Sequence, residues 1–190
     1  MPTAPQSCGA LTSSMLSREQ LARRIADVAL LHGNFTLRSG RTSRYYLDKY
    51  LFSTQPDVLA ALGVSFASQI DRATTTRLAG AELGGIPLVT AASLATGLPC
   101  IFVRNKKKDY GTAKQIEGVL NKGDRVVIIE DIATTGGQVL EAAIMLRDMG
   151  ATIEKIIAVI DRQEGARANI ESAGFVFDSL FTKSDLGITE

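Results

Sequence analysis

The chain contains 190 residues, of which 45% are hydrophobic and 22% are charged, and these values are ordinary for one soluble globular domain. Its formal net charge of +1 provides no general attraction to nucleic acid or to an anionic membrane, so neither is expected as a partner. The longest apolar runs are far below the roughly 20 residues needed to span a bilayer. Two cysteines and one histidine do not make a disulfide framework or a metal set, and a cytoplasmic location is expected.

The first part of the chain divides into a lead and the start of a fold. Residues 1–16 are rich in Pro, Ser, Thr and Ala without periodicity, which predicts a flexible N-terminal lead. At Ser17 the run Ser-Arg-Glu-Gln has the capping-box pattern, so a helix is predicted from there to Gly33. Because no linker or internal repeat follows, residues 17–190 are expected to form a single domain.

The remaining chain alternates between strand and helix patterns. Residues 35–52 mix β-formers with a Ser-Gly turn, which predicts two short strands around a polar loop, and Pro56 begins a second helix. Further strands are predicted at 76–82, 99–104, 125–131, 155–162 and 175–181, with helices at 86–97, 137–150 and 165–174 and a polar stretch at 105–124. Unbroken Val, Ile and Leu strands separated by helices indicate an α/β fold with a central, mostly parallel, twisted sheet flanked by helices.

Charged residues follow four of these predicted strands. In open parallel sheets, ligands bind at the carboxyl ends of the strands, where loops and helix N-termini converge. Glu82, Arg104, Asp131 and Arg162 each stand at such a position. We therefore expect the functional site at this edge of the sheet.

The segment VVIIEDIATTGG, residues 126–137, ends a predicted buried strand on two adjacent carboxylates, Glu130 and Asp131. Two ionised carboxylates beside a buried strand repel each other and need cations or hydroxyl donors as partners. The vicinal hydroxyls of a ribose are suitable donors. The alternative is that both carboxylates are solvated charges at the end of a strand.

The loop after this acidic pair joins the strand to a helix. Backbone N–H groups and the positive end of the helix dipole collect in such a turn, which favours phosphate binding. Gly136 and Gly137 allow the backbone to approach a ligand closely, and Thr134 and Thr135 add hydroxyl donors. The sequence here is neither a P-loop nor a dinucleotide-binding glycine motif. The alternative is that Thr135 only caps the helix.

The stretch VVIIEDIATTGG resembles the 5-phosphoribosyl-1-diphosphate (PRPP) binding motif of the type I phosphoribosyltransferases. Two further segments resemble the orotate phosphoribosyltransferases: FTLRSGRTSRYY, residues 35–46, is similar to their N-terminal segment, and RNKKKDYGTAKQIEG, residues 104–118, to their mobile catalytic loop. With DRQEG at 161–165, the resemblance extends over roughly residues 17–182. It implies the type I phosphoribosyltransferase fold with a small N-terminal hood, formed mainly by residues 17–55.

The resemblance also implies an activity. Members of this family transfer the 5-phosphoribosyl group from PRPP to orotate, giving orotidine 5′-monophosphate and pyrophosphate in de novo pyrimidine (UMP) synthesis. Mg²⁺ is the implied cofactor, carried by the diphosphate of PRPP rather than by metal ligands of the chain. The implied assembly is a homodimer, because in this family the mobile loop of one subunit completes the active site of the other.

The resemblance assigns roles to individual positions. The implied catalytic residues are Lys108, Asp131 and Arg104. The implied PRPP-binding residues are Arg38, Arg104, Asn105, Lys108, Tyr110, Glu130, Asp131, Ile132, Ala133, Thr134, Thr135, Gly136, Gly137 and Gln138. The implied orotate-binding residues are Thr134, Arg162, Tyr46 and Leu47. The chain departs from the usual family pattern at Asn105 and Tyr110, and it has Leu83 and Gly84 where some members have a Tyr-Lys pair.

The segment 104–109 carries four cations and one anion. Such a run is most often a solvated surface when it stands alone. Beside a phosphate-binding loop, its cations are suited to stabilise the negative charge that develops as pyrophosphate leaves. A closing loop also excludes water from an electrophilic sugar carbon.

Two other functions remain open on the residues alone. A transferase of the same fold acting on a purine or on uracil is one, although Arg162 provides a forked cation that suits the carboxylate of orotate. A regulatory protein that senses PRPP without chemistry is the other, although such a protein has no need of a cationic closing loop.

Overall fold

The computed structural model describes residues 16–36, 40, 42–105 and 115–189. Its helices are α1 (Arg18–Ala29), α2 (Lys49–Ser53), α3 (Pro56–Ala67), α4 (Gly85–Thr96), α5 (Gly137–Asp148) and α6 (Ala166–Ser172), with a 3-10 turn at Ser184–Leu186. Its strands are β1 (Leu30–Thr36), β2 (Thr42–Leu47), β3 (Arg77–Ala81), β4 (Cys100–Val103), β5 (Ile116–Glu117), β6 (Arg125–Ala133), β7 (Thr152–Asp161) and β8 (Phe177–Thr182). No helix within these ranges is long and apolar enough to cross a membrane.

A six-stranded sheet forms the centre of the molecule, with the strand order β5-β4-β3-β6-β7-β8. The pairs β4–β3, β3–β6, β6–β7 and β7–β8 are parallel, and β5 runs antiparallel to β4 at one edge. Strands β1 and β2 form a separate antiparallel pair. The predicted α/β fold with a mostly parallel sheet flanked by helices is therefore confirmed.

Apolar side chains cover both faces of this sheet. On one face, α1, α3 and α4 bury Ile25, Leu62 and Leu88 in a cluster that includes residues of β6 and β7. On the other face, α5 and α6 bury Leu146 and Ile170. A strand covered on both faces has no solvent side, which is why β6 and β7 are apolar runs rather than alternating ones.

Helix α1 begins where the sequence predicts and ends earlier. The N–H of Gln20 donates to Ser17 Oγ at 3.3 Å, and the N–H of Ser17 donates to Gln20 Oε1 at 2.8 Å, so the capping box is present. The helix ends at Ala29 and not at Gly33. Residues from Leu30 onward pair with β2. Because of this pairing they form a strand, so the helix ends before Gly33.

Two short elements differ from the sequence prediction. Helix α2 occupies the end of the segment 35–52, where a strand is predicted; Asp48 Oδ1 accepts the N–H of Tyr50 at 2.9 Å, and Phe52 is fully buried. Strand β5 lies within the predicted polar stretch 105–124, where it pairs with β4. A local cap stabilises α2, and pairing with β4 stabilises β5. Neither element produces a periodic pattern in the sequence.

The strand order creates a natural ligand site. The chain passes from β3 to β4 on one side of β3, and later places β6 on its other side. Loops therefore leave β3 and β6 in opposite directions, which opens a crevice at their carboxyl ends. Both the β6–α5 loop and the β3–α4 loop border this crevice.

Candidate active site

The four charged residues predicted to lie at strand exits converge on one edge of the sheet. Arg104, Glu82, Asp131 and Arg162 belong to the carboxyl ends of β4, β3, β6 and β7, which are consecutive parallel strands. Neighbouring strands lie about 4.8 Å apart, so these four ends span roughly 14 Å. That width suits a small extended ligand with charge at both ends.

Asp131 is held by contacts on both carboxylate oxygens. Its Oδ1 accepts the N–H of Ile132 at 2.6 Å, and its Oδ2 lies 2.9 Å from Lys49 Nζ. The side chain is only 5% exposed, so an ionised carboxylate here requires such a cation. The backbone of Gly84 lies against the same oxygen, because a Cβ added at Gly84 would overlap Oδ2.

Glu130 has a different environment although it is adjacent in sequence. Successive side chains of a strand point to opposite faces of the sheet, so Glu130 and Asp131 are not side by side. Burial, together with the negative charge of Asp131 and against the attraction of Lys49, raises the pKa of Glu130 to about 8. The sequence argument treats both carboxylates as ionised, whereas burial in the fold favours the protonated form of Glu130.

The turn between β6 and α5 has the form of a phosphate-binding site. Helix α5 begins at Gly137, and no side chain caps its N-terminus, so its first N–H groups point into the crevice without a helical partner. Thr135 does not cap the helix, which removes the alternative explanation of that residue. A Cβ added at Gly137 would meet only Thr135 Oγ1, at 4.0 Å, so the space in front of the turn is open. Thr134 is half-buried beside it.

Gly136 is required by the backbone of this turn. Its φ is +78°, in the left-handed region, and a Cβ there would lie 3.0 Å from the side chain of Ile170 in α6. Asn169 Nδ2 donates to the carbonyl of Thr135 at 2.9 Å, and the N–H of Arg162 donates to the carbonyl of Ala133 at 2.9 Å. The turn is therefore braced from α6 and from β7, which leaves its N–H groups in fixed positions.

Arg104 and Asn105 connect the start of the predicted mobile loop to the site. Asn105 accepts from Gln138 Nε2 at 2.7 Å and donates to the backbone carbonyl of Glu82 at 3.2 Å. Arg104 Nη1 lies 4.0 Å from Glu82 and 3.7 Å from Glu117. Its Nε is buried and has no hydrogen-bond partner among the described residues. This guanidinium can therefore accept an anionic ligand.

Among the four strand ends, Arg162 lies at the opposite side of the site from Arg104. Its Nη2 lies 3.0 Å from Glu164 Oε1 and donates to the Tyr45 hydroxyl at 3.2 Å, with the guanidinium 5.6 Å from the centre of the Tyr45 ring. Its Nε is buried and has no hydrogen-bond partner in the described part of the chain. A buried donor without a partner is costly, and a planar carboxylate would satisfy it.

The two residues predicted to cover the base lie apart from each other. Tyr46 is 45% exposed, with its ring 5.6 Å from that of Phe35, whereas Leu47 is buried in the core. Tyr45, which the sequence leaves without a role, is the residue that contacts Arg162. Alternation along β2 explains the difference, because adjacent side chains face opposite ways.

Several predicted site residues fall outside the described part of the chain. Arg38 is one, and Lys108 and Tyr110 of the predicted mobile loop are the others. Their roles therefore stay predictions.

Lys49 is the site residue that sequence reasoning missed. The sequence argument requires a cation beside the acidic pair, and no local pattern indicates that it comes from position 49, 82 residues before Asp131. Only the folded chain brings α2 over the end of β6.

Comparison with known proteins agrees with this geometry. The family model described as the Phosphoribosyl transferase domain matches residues 56–185. This range contains the β6–α5 turn, Arg104 and Arg162, and it leaves Lys49 and Tyr45 outside. The fold and the site thus define a phosphoribosyl transferase domain.

Individual relatives identify the branch of that family. The orotate phosphoribosyltransferase of Haloquadratum walsbyi is 49% identical over 165 residues, which covers 87% of this chain and 88% of that protein. The structure of the orotate phosphoribosyltransferase of Mycobacterium tuberculosis H37Rv has a TM-score of 0.79 and 31% identity, covering 90% of this chain and 99% of that one. Its complex with 5-phospho-alpha-D-ribosyl 1-diphosphate has a TM-score of 0.75 at 30% identity, with the same coverage of 90% and 99%. The chain therefore belongs to the orotate phosphoribosyltransferase family.

Proposed function

We propose that this protein transfers the 5-phosphoribosyl group of PRPP to N1 of orotate, producing orotidine 5′-monophosphate and pyrophosphate for pyrimidine synthesis. The observation that carries the proposal is the pair of buried guanidinium Nε atoms, on Arg104 and Arg162, that have no hydrogen-bond partner among the described residues. They lie on either side of an open, uncapped helix N-terminus. The positive sites are therefore Arg104, the N-terminus of α5 and Arg162, in that order. A phosphorylated sugar that lies between two further anionic groups matches this arrangement.

PRPP binds along the β6–α5 segment. Its 5′-phosphate takes the N–H groups of residues 134–138, where the N-terminus of α5 favours negative charge. Its ribose hydroxyls donate to Asp131, with Glu130 adjoining the site from the opposite side of β6, and its diphosphate extends toward Arg104 and Asn105 at the end of β4. Arg38, Lys108 and Tyr110 are proposed to complete the PRPP site.

Orotate binds on the Arg162 side of the ribose. Its carboxylate replaces Glu164 as the partner of the Arg162 guanidinium, in the bidentate geometry that arginine favours. The Thr134 hydroxyl contacts the pyrimidine, and Tyr45, which accepts a hydrogen bond from Arg162, flanks the base. Leu47, buried in the core, supports β2 behind it. Because the fork pairs with a carboxylate, bases without one bind less well.

The reaction breaks the bond from C1 of the ribose to the diphosphate oxygen and forms a bond from C1 to N1 of orotate. Positive charge develops on the ring as the diphosphate leaves, and the carboxylate of Asp131 near the ring hydroxyls stabilises it. Arg104 and Lys108 stabilise the negative charge of the departing pyrophosphate. Mg²⁺, carried by the diphosphate of PRPP, neutralises part of that charge when bound. The electron pair of the broken bond leaves with pyrophosphate, and the proton displaced from N1 of orotate is taken up by the departing pyrophosphate.

We further propose that two copies of the chain form a homodimer in which each mobile loop, within residues 104–118, begins beside its own site at Arg104 and Asn105 and closes over the neighbouring active site. Closure excludes water from C1 of the ribose. Both substrates are anions that do not cross a bilayer unaided, so a cytoplasmic location fits this reaction.

A spectrophotometric assay with orotate, PRPP and Mg²⁺ tests the proposal. Loss of orotate absorbance with formation of one pyrophosphate per orotate is the expected result. The same mixture with uracil, adenine or guanine in place of orotate is the control. If one of those bases is consumed and orotate is not, that base is the substrate. If PRPP binds but no base is consumed, the protein is a regulatory one.

A further inference from the structure

The ion pair between Lys49 and Asp131 joins two distant parts of the chain at the centre of the site. Lys49 Nζ lies 2.9 Å from Asp131 Oδ2. The other oxygen of Asp131 accepts the N–H of Ile132, and the backbone of Gly84 lies against Oδ2. These contacts hold the carboxylate in place, and among the contacts of the described residues Lys49 contributes the only attraction from outside β6.

The position of Lys49 is itself fixed by α2. Asp48 caps this helix by accepting the N–H of Tyr50 at 2.9 Å, and Phe52 anchors it in the core with no exposed surface. The Lys49 side chain is 34% exposed, so the ammonium sits at the boundary between the protein and the crevice.

Lys49 is charged in this environment. Burial acts to lower its pKa, but the negative charge of Asp131 and the hydrogen bond to it outweigh burial, so the pKa of Lys49 is raised. The pair is thus an ammonium facing a carboxylate. Removing the ammonium would leave a buried anion without a cation beside it, which is strongly unfavourable.

We propose that Lys49 is a positioning residue for PRPP: its ammonium fixes the Asp131 carboxylate so that the remaining lone pairs of that carboxylate face the ribose hydroxyls. The inference rests on the proposed function, because it assumes that Asp131 binds the ribose. A carboxylate has about four acceptor sites, so the contacts to Ile132 and Lys49 leave capacity for ligand hydroxyls. Lys49 therefore acts on PRPP through Asp131 and has no direct effect on orotate.

Calorimetric titration with PRPP and Mg²⁺, combined with steady-state kinetics, tests this role. Lys49→Met removes the charge and keeps the length of the side chain, and it is expected to weaken PRPP binding at least about tenfold. The KM for PRPP rises accordingly, while the KM for orotate stays within about twofold. Lys49→Arg keeps the ion pair and is expected to restore most of the affinity. Lys122→Met, an exposed lysine at the opposite end of β6, is the matched control and should bind PRPP as the wild type does.

A double-mutant cycle separates positioning from direct contact with the ligand. In an Asp131→Asn background there is no carboxylate to position, so adding Lys49→Met should not weaken PRPP binding further. Equal affinities of Asp131→Asn and the double variant support the proposal. An additional loss in the double variant would show that Lys49 contacts PRPP itself and would overturn it. Both of these proteins lack the buried anion, so the comparison holds even if Lys49→Met alone does not fold.

The outcome is distinguishable from failure of the proposed function. If the wild-type protein binds PRPP but consumes no orotate, the proposed activity is wrong, while the binding cycle still decides the role of Lys49. If a folded Lys49→Met variant binds PRPP with wild-type affinity, the proposal is wrong whatever the activity.

Discussion

At the scale of single residues, Glu130 is the group whose chemistry the fold changes most. Its pKa of about 8 in the folded chain, raised first by burial and then by the charge of Asp131, compares with 4.5 for an ordinary glutamate. Between these two values the folded state holds a proton that the unfolded state has lost. Stability contributed by this group therefore falls as pH rises above about 4.5, and the loss is complete above about 8.

Replacing Glu130 with glutamine removes this pH dependence. Relative to the wild type, Glu130→Gln should gain on the order of 3–4 kcal/mol in unfolding free energy between pH 5 and pH 8, from about 1.36 kcal/mol per pH unit over which only the folded state is protonated. Denaturant titrations at a series of pH values measure the gain. Glu141→Gln, at an exposed position on α5, is the matched control. Parallel pH profiles for Glu130→Gln and the wild type would contradict the assignment of a protonated Glu130.

At the scale of elements, the N-terminus of α5 separates a structural glycine from a ligand-facing one. Gly136 has φ +78° and no room for a Cβ because of Ile170, whereas Gly137 has open space in front of it. The two adjacent glycines thus provide a matched pair of alanine substitutions in one turn.

The two substitutions should have opposite effects. Gly136→Ala is expected to lower the unfolding free energy by about 1–2 kcal/mol, because an L-residue is strained in the left-handed region. Gly137→Ala should leave stability unchanged or raise it by up to about 1 kcal/mol, since alanine favours the helix. Its methyl group nevertheless enters the phosphate site, so PRPP affinity should fall at least about tenfold. Thermal unfolding and calorimetry measure the two effects, and wild-type affinity in Gly137→Ala would place the phosphate elsewhere.

The predictability of these elements from sequence follows from how local their causes are. The β6–α5 segment is predictable, because a run of Val and Ile, a carboxylate pair and a Thr/Gly turn are all contained within residues 126–137. Helix α2 and strand β5 are not, because one has only five residues and the other two. Such elements depend on a cap or on a partner strand rather than on a repeating pattern.

The same distinction applies to the site. Arg104, Asp131 and Arg162 are predictable as site residues, since each follows a strand whose direction the α/β pattern sets. Lys49 and Tyr45 are not, because their partners are 82 and 117 residues away in the chain. The need for a cation beside the acidic pair is visible in the sequence, but the residue that provides it is determined by packing.

At the scale of the whole molecule, the proposed homodimer makes a prediction that a single-subunit site does not. If each mobile loop serves the neighbouring site, Lys108→Ala and Asp131→Asn damage different parts of a shared site. Each variant alone should have little activity. Equimolar mixing and reassembly should restore about a quarter of wild-type turnover, because half of the dimers are mixed and each has one intact site.

The controls for this experiment are the two variants taken separately through the same dissociation and reassembly. Light scattering establishes that the reassembled species is a dimer. Mixed dimers without recovered activity would mean that the loop acts on the site of its own chain.

The hydrogen bond from the N–H of Arg104 to the carbonyl of Gln115, at 2.8 Å, joins the two ends of the intervening segment, and the β4–β5 pairing beneath it continues the closure. Because the two ends of the segment are held together, a change within it need not disturb the strands from which it leaves. Doubling the length of such a closed segment lowers the free energy of unfolding by only about 0.6 kcal/mol. Insertions between its two ends should therefore have little effect on folding. The closure makes the intervening segment suitable for exchange between related proteins, because its two ends stay joined by the same backbone hydrogen bond.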